Sequence, residues 1–207
     1  PLTVISMVGN SLQADIDLGE EITPEALQEL ITTLSAQTSY LSHTVDDFRS
    51  FFKPDKERKE TGINTLLENI KNLIIKSLEN NNIKLELPEM SDITLLTYPN
   101  QLTQVLINII NNAKDALVQT NTEDASITIG LKKEKNNIII SVCDNGGGID
   151  PSIKDKLGQA YVSTKSKNGT GLGIYMSIVI VNKHLNGRLY WESDKKGSCF
   201  YVALPME

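Results

Sequence analysis

The chain has 207 residues, of which 40% are hydrophobic and 22% charged, a composition typical of one or two globular domains. Its formal net charge of −6 argues against a nucleic-acid-binding surface. No apolar run approaches the roughly 18 residues of a membrane span and no signal peptide is present, so we expect no membrane contact within this sequence. Cys143 and Cys199 lie in apolar runs without metal-ligand spacing, and they are predicted to be buried thiols in a reducing, cytoplasmic environment.

Residues 1–53 have a purely helical pattern. A short apolar stripe comes first, residues 18–24 turn the chain back, and Thr23-Pro24 supplies an N-cap and a proline at the first helical position. The second helix has apolar residues in the 4-3-4-3 spacing of a helix-bundle seam: Leu27, Ile31, Leu34, Thr38, Leu41, Val45, Phe48 and Phe52. We predict a helical hairpin that pairs with a second copy as a homodimeric four-helix bundle; packing of the hairpin on its own downstream domain is the alternative.

Residues 54–61 are mostly charged and are predicted to be a linker, because such a run cannot form a core. Residues 62–207 mix helical and strand periods, which predicts an α+β chain that ends in a two-layer α/β sandwich. Helices are expected at 64–79, at 101–117 and from Gly173 to about Leu185. Strands are expected at 125–133, 137–143, 188–193 and 198–204, with short runs at 83–87 and 94–98, the second a candidate strand.

Two glycine-rich segments are the strongest functional signals. The segment Asp144-Asn-Gly-Gly-Gly-Ile149 opens on an acidic residue and predicts an acidic contact beside a tight turn. The segment Gly169-Thr-Gly-Leu-Gly173 precedes an apolar helix, so its backbone N–H groups are predicted to hold a phosphate. Each segment by itself is also compatible with an ordinary turn.

The helix over residues 101–117 carries a third signal. Asn108 and Asn112 lie four residues apart and therefore share a face, although asparagine is a poor helix former. An amide oxygen is a hard ligand suited to Mg²⁺, which also takes phosphate oxygens. A solvated polar face is the alternative interpretation of the same pattern.

Together the three segments resemble the Bergerat-type ATP-binding domain shared by histidine kinases, type II topoisomerases, heat-shock-90 chaperones and MutL proteins. They match Asn-x-x-x-Asn-Ala at 108–113, Asp-x-Gly-x-Gly at 144–148 and Gly-x-Gly-x-Gly at 169–173. The resemblance implies that Asp144 accepts a hydrogen bond from the adenine amino group, that Asn112 holds Mg²⁺, and that the last glycines face the phosphates of ATP. The full set of ATP-contacting residues that it implies is Asn108, Asn112, Asp144, Gly146, Gly148, Ile149, Thr164, Gly169, Gly171, Leu172 and Gly173.

A helical hairpin directly before such a domain resembles the transmitter region of sensor histidine kinases. The resemblance implies that a γ-phosphoryl group passes from ATP to a histidine in the bundle, and then to an aspartate of a response regulator that docks on the hairpin. Pro1-Leu2 matches the end of the family's acceptor motif, so we expect the acceptor histidine upstream of Pro1 and no self-phosphorylation by the chain as given. His43 and His184 lack the neighbours of an acceptor. A membrane anchor is also compatible with such an upstream segment.

Residues 150–168 correspond to the family's ATP lid. Ser163-Thr164-Lys165 matches a triplet found there, and Lys165 and Lys114 are candidates for contacting a phosphate, with solvated charges as the alternative. Gly158 and Ala160 stand where relatives commonly carry phenylalanine and proline, which puts the order of the lid and the kinase rate in question.

Two alternatives to kinase activity remain open at this point. A related ATPase of the MutL or chaperone type uses a glutamate to activate water where this chain has Asn108, which is a poor base, so we expect slow hydrolysis. A dimeric scaffold that binds nucleotide without kinase activity is the other alternative.

Overall fold

A computed structural model shows two helices at the N-terminus. The residues that it describes are 2–19, 22–51, 57–89, 93–163 and 171–206. Helix α1 (Leu2–Leu18) contacts helix α2 (Pro24–Phe51). The predicted N-cap is confirmed, because the Ala26 N–H donates to Thr23 Oγ1 at 3.2 Å. In the described parts of the chain, no helix has the length and apolarity needed to cross a membrane.

Many apolar side chains of α1 and α2 are uncovered in a single copy of the chain. No residue of α1 is buried. Leu27 and Ile31 of the predicted seam are 43% and 48% exposed. The side chains of the later seam residues, from Val45 to Phe52, are not among those that the structure describes. Pro1 also lies outside the described residues.

The rest of the chain is a mixed α/β unit. Its elements are β1 (Lys59–Gly62), α3 (Ile63–Glu79), β2 (Lys84–Glu86), β3 (Thr94–Thr97), α4 (Pro99–Thr120), β4 (Ser126–Glu134), β5 (Asn137–Asp144), α5 (Gly173–Lys183), β6 (Arg188–Ser193) and β7 (Ser198–Pro205). Five strands form one sheet in the order β2-β4-β5-β7-β6, in which only the β2–β4 pair is parallel. Strand β1 pairs with β3 in a separate antiparallel ribbon.

The predicted helices and strands of this unit are confirmed to within a few residues, but β1 was missed. Its sequence, Lys-Glu-Thr-Gly, belongs to the charged run that predicted a linker. Pairing with β3 explains how so polar a segment becomes a strand, since Lys59 lies opposite Thr97 and Gly62 opposite Thr94.

The core lies between one face of the sheet and helices α3 and α4. Strand β7 shows the reason, because its buried and half-buried residues alternate with period two. Helix α4 turns a buried apolar stripe from Leu102 to Leu117 toward the sheet. Helix α5 packs against α4, while α4 contacts the central strands β4 and β5 and α5 contacts the edge strand β6. This arrangement positions the site described below.

The prediction of two free buried thiols is wrong. Cys143 of β5 and Cys199 of β7 lie directly opposite each other, with Cα atoms 4.0 Å apart, and they form a disulfide. Both are only half-buried, since they alternate with the buried positions Val142 and Phe200 on their strands. The register of two strands 56 residues apart in sequence brings them together, and no local pattern contains that information. The inference of a reducing compartment therefore loses its basis.

Candidate nucleotide-binding site

A cavity of about 880 Å³ opens between α4, the end of β5 and the start of α5. Its volume is in the range of small-molecule sites, which is about 300–1,000 Å³. All three predicted motifs contribute to its wall, through Asn108, Asn112, Asp144, Gly146, Gly148, Ile149, Gly171 and Gly173. Lys114 lines it as well, whereas Leu172 does not contribute to the lining. Of the other predicted residues, Thr164, Lys165 and Gly169 lie outside the described residues.

Asp144 is the last residue of β5 and presents a half-buried carboxylate to the cavity. Its Oδ1 accepts a hydrogen bond of 2.9 Å from the Gly146 N–H. Burial raises the pKa of Asp144 above its ordinary value of 3.8, against the opposing effect of the backbone N–H groups of Gly146 and Ser198, which favour the carboxylate. A partly desolvated acceptor of this kind recognises a donor group strongly.

The turn between β6 and β7 holds the Asp144–Ile149 segment in place. Gly148 has a φ of +86° and touches the backbone of that turn so closely that a Cβ atom would overlap it. Gly197 lies in the turn, and a Cβ atom there would likewise overlap the carbonyl oxygen of Asp144. The Ile149 N–H donates to Ser193 Oγ at 2.7 Å. From the sequence, Gly197 was assigned only to a hairpin turn, and its contact with Asp144 was missed. The glycines at 148 and 197 are the only sequence signal for this packing of the two turns.

Asn108 joins α4 to the beginning of α5. Its Nδ2 donates a hydrogen bond of 2.8 Å to Ser177 Oγ, and a Cβ atom at Gly173 would lie 2.5 Å from its Oδ1. A side chain at position 173 would therefore force this amide to move away from the first turn of α5. Asn108 and Asn112 both line the cavity, as their shared helix face predicted.

Lys114 and Asn112 supply the polar groups at the α4 side of the cavity. Lys114 Nζ donates to Ser77 Oγ of α3 at 3.2 Å. In the described residues, no group of three or more His, Cys, Asp or Glu side chains could hold a metal ion. The amide of Asn112 lines the cavity, and an amide oxygen is a hard ligand of the type that Mg²⁺ accepts beside phosphate oxygens.

Residues 151–163 form the wall opposite α4. The Tyr161 N–H donates to the Gly171 carbonyl at 3.0 Å. Gly171 has a φ of +66°, and a Cβ atom there would lie 2.5 Å from the Tyr161 carbonyl carbon. Glycine is thus needed at position 171, where the backbone passes close to the backbone of Tyr161. The backbone N–H groups that follow precede α5, where a phosphate would find hydrogen-bond donors and the positive end of the helix dipole.

The cavity combines a half-buried acidic acceptor, apolar walls, a glycine-lined helix start and a lysine. The apolar part comes from Ile149, Leu157, Val162, Ile174 and Phe200. An acid and apolar walls suit a purine base, while the glycines and the lysine suit phosphates. The cavity is therefore a candidate nucleotide-binding site.

Comparison with known proteins assigns the family. A sequence profile of the histidine kinase-, DNA gyrase B-, and HSP90-like ATPases matches residues 97–207, which include the whole cavity wall described above. The chain belongs to this family, and it carries an ATP-binding region of the kind found in sensor histidine kinases.

Relatives and solved structures agree with this assignment. Sporulation kinase E of Bacillus subtilis strain 168 is 27% identical over 177 residues, which cover 84% of this chain and 23% of that protein. The sensory histidine kinase/phosphatase NtrB of Azospirillum brasilense is 29% identical over 161 residues, covering 72% of this chain and 40% of NtrB. The chain thus spans less than half the length of either relative.

Two solved histidine kinase structures show the shared fold. That of AdeS from Acinetobacter baumannii has a TM-score of 0.67 at 20% identity, covering 99% of this chain and 96% of AdeS. That of ThkA, in complex with the response regulator protein TrrA, has a TM-score of 0.71 at 22% identity, covering 98% of this chain and 57% of the other.

Proposed function

We propose that the chain is the transmitter region of a sensor histidine kinase of a two-component system. In this proposal it binds ATP with Mg²⁺, supports transfer of the γ-phosphoryl group to a histidine, and passes that group to an aspartate of a response regulator. The observation that carries the proposal is that the segments 108–113, 144–149 and 171–173 meet around one cavity. The names of the relatives and the ThkA–TrrA complex support the kinase reaction and the type of partner.

The adenine end of the site is assigned to Asp144. Its carboxylate faces the cavity and keeps an oxygen lone pair available beyond the bonds from Gly146 and Ser198. The exocyclic amino group of adenine is a donor that matches this acceptor. Ile149 and Phe200 supply apolar surface for the ring.

The phosphate end is assigned to Gly171, Gly173 and Lys114, with Lys165 as a further cation. Gly171 and Gly173 place no side chain at the start of α5, where the close approaches of Tyr161 and Asn108 leave little room for one. The N–H groups of the first turn of α5 are the proposed donors to a phosphate. Asn112 would hold Mg²⁺, which supplies neutralisation of phosphate charge. Asn108 orients the start of α5 through Ser177 and offers no base that would activate water.

The helices α1 and α2 are assigned to dimerisation as a helical hairpin. Their exposed apolar residues include Leu2, Met7, Ile16, Leu18, Leu27 and Ile31. A second copy would cover this surface in a four-helix bundle, which also gives the response regulator its docking surface.

Calorimetric titration of the chain with ATP, in Mg²⁺ and then in excess chelator, tests the nucleotide assignment. We expect saturable binding that weakens when Mg²⁺ is removed, and a smaller effect of the chelator in Asn112→Ala. ATP at one hundred times its dissociation constant should raise the unfolding free energy by about 2.7 kcal/mol. Tyr190→Ala is a control, since Tyr190 stacks on Tyr201 and does not line the cavity. Absence of ATP binding by the wild-type chain would disprove the proposal.

A further inference from the structure

Trp191 is the only tryptophan of the chain and does not line the cavity. It lies on the edge strand β6, directly opposite Phe200 of β7. The two rings pack with centroids 6.0 Å apart and an interplanar angle of 37°. Phe200 is buried and does line the cavity, so the indole supports the floor of the site from the side, on the same face of the sheet.

The same indole also touches the wall of the cavity. Gly158 has a φ of +88°, and a Cβ atom there would lie 2.6 Å from Ile178 Cδ1 and 3.3 Å from Trp191 Cη2. Gly158 and Leu157 both line the cavity. The main chain at position 158 is therefore packed directly on α5 and on the edge of the indole, with no side chain of its own between them.

This contact explains why glycine occupies position 158. Sequence reasoning treated Gly158 as a loss of packing, because a larger side chain would be expected to hold the wall. Here the large aromatic ring comes from the sheet, and glycine is what lets the wall reach it. Ile178 and Trp191 are both partly buried against the core, so they form a fixed support.

We propose that Trp191 is a positioning residue for the nucleotide site. Its indole holds the wall at Leu157–Gly158 and the floor at Phe200 in the arrangement that binds nucleotide, without contact to the nucleotide itself. The inference rests on the proposed ATP binding. Without the indole, the main chain at Gly158 loses one of the two side chains nearest to it, and a glycine at positive φ offers little resistance to other conformations.

The expected size of the effect follows from the population of the binding arrangement. If removal of the indole lowers that population to about one tenth, the apparent dissociation constant rises about tenfold. Isothermal titration of the whole chain with ATP and Mg²⁺ should show this rise for Trp191→Ala. Trp191→Phe retains a ring against Phe200 but no longer reaches Gly158, so its affinity should lie between those of Trp191→Ala and the wild type.

Tyr190→Ala is the matched control for damage to β6. Tyr190 is the adjacent residue on the strand, and its ring stacks on Tyr201 with centroids 4.9 Å apart, on the face away from Trp191. We expect its dissociation constant for ATP to stay within about twofold of the wild-type value, well below the roughly tenfold rise expected for Trp191→Ala. An equal loss of affinity in Tyr190→Ala and Trp191→Ala would overturn the inference, because general weakening of the strand would then explain both.

Nucleotide binding and the role of Trp191 can be tested separately. If the wild-type chain does not bind ATP, the proposed function fails. If the wild type binds ATP and Trp191→Ala binds it equally well, the positioning role alone is wrong. Should Trp191→Ala not fold, Gly158→Ala tests the same packing from the side of the wall, since its Cβ would lie 2.6 Å from Ile178 Cδ1 and 3.3 Å from the indole and would force the wall to move. Unchanged affinity in that variant would overturn the inference.

Discussion

Asn108 of α4 donates a hydrogen bond of 2.8 Å to the hydroxyl group of Ser177 of α5, across 69 residues of sequence. Ser177 is only 2% exposed, so the bond lies in a place that water reaches poorly. Gly173 packs on the same amide one turn earlier. The bond thus positions the start of α5, and with it the proposed phosphate-binding N–H groups, relative to α4.

Ser177→Ala should reduce both stability and nucleotide affinity. The substitution leaves a partly buried amide donor without its acceptor, which costs about 1–3 kcal/mol of unfolding free energy. Urea unfolding measures this loss, and ATP titration measures the accompanying fall in affinity. A double-mutant cycle with Asn108→Ala isolates the pair, since the two substitutions should be clearly less than additive. Additive effects would show that the two residues act independently.

Asp144→Ala should weaken ATP binding. Loss of a hydrogen bond to a charged group costs about 1.5–3 kcal/mol, which corresponds to roughly 10- to 150-fold in the dissociation constant. Calorimetric titration provides the measurement. Asp155→Ala serves as the control, because Asp155 is exposed and outside the cavity lining, and its affinity should match that of the wild type. An Asp144→Ala variant with wild-type affinity would refute the adenine assignment.

The stability of the chain should carry a pH signature of Asp144. Because burial raises the folded-state pKa of Asp144, the folded protein holds its proton more tightly than the unfolded protein does. The contribution of Asp144 to the unfolding free energy is therefore fully present below pH 3.8 and is lost as the pH rises through the raised pKa. The difference in unfolding free energy between the wild type and the non-titrating variant Asp144→Asn should fall over that window. A difference that stays constant across it, in urea titrations, would contradict the prediction.

Ile31→Asp should convert the proposed dimer to a monomer. Ile31 is 48% exposed in a single copy of the chain, so a carboxylate there costs the monomer little but is incompatible with a buried bundle seam. Sedimentation velocity at micromolar concentration measures the change. Gln28→Asp adds the same charge to the same helix outside the seam and should remain dimeric. A wild-type chain that sediments as a monomer would rule out the bundle.

The sequence by itself determined the helices and strands of the α/β unit, apart from β1, and the motif residues at 108–114, 144–149 and 171–173 that line the cavity. Period 3.6 in α4 and period two in β7 reflect which face each element buries, so they can be recognised locally. The glycines and the acidic residue at 144–149 were recognisable because close backbone approach leaves few alternatives to glycine. Strand β1 escaped prediction, since its pairing with β3 rather than its own composition makes it a strand.

Only the tertiary structure decided which distant residues meet. The Cys143–Cys199 pair depends on the register between β5 and β7. The contact of Gly158 with Trp191 depends on how the cavity wall packs against the edge of the sheet. The turn at Gly197 likewise gains its role from the carbonyl group of Asp144. Local patterns report how one element meets water and core. Pairings between elements instead depend on the packing of the whole fold, in which each contact is set by many side chains at once.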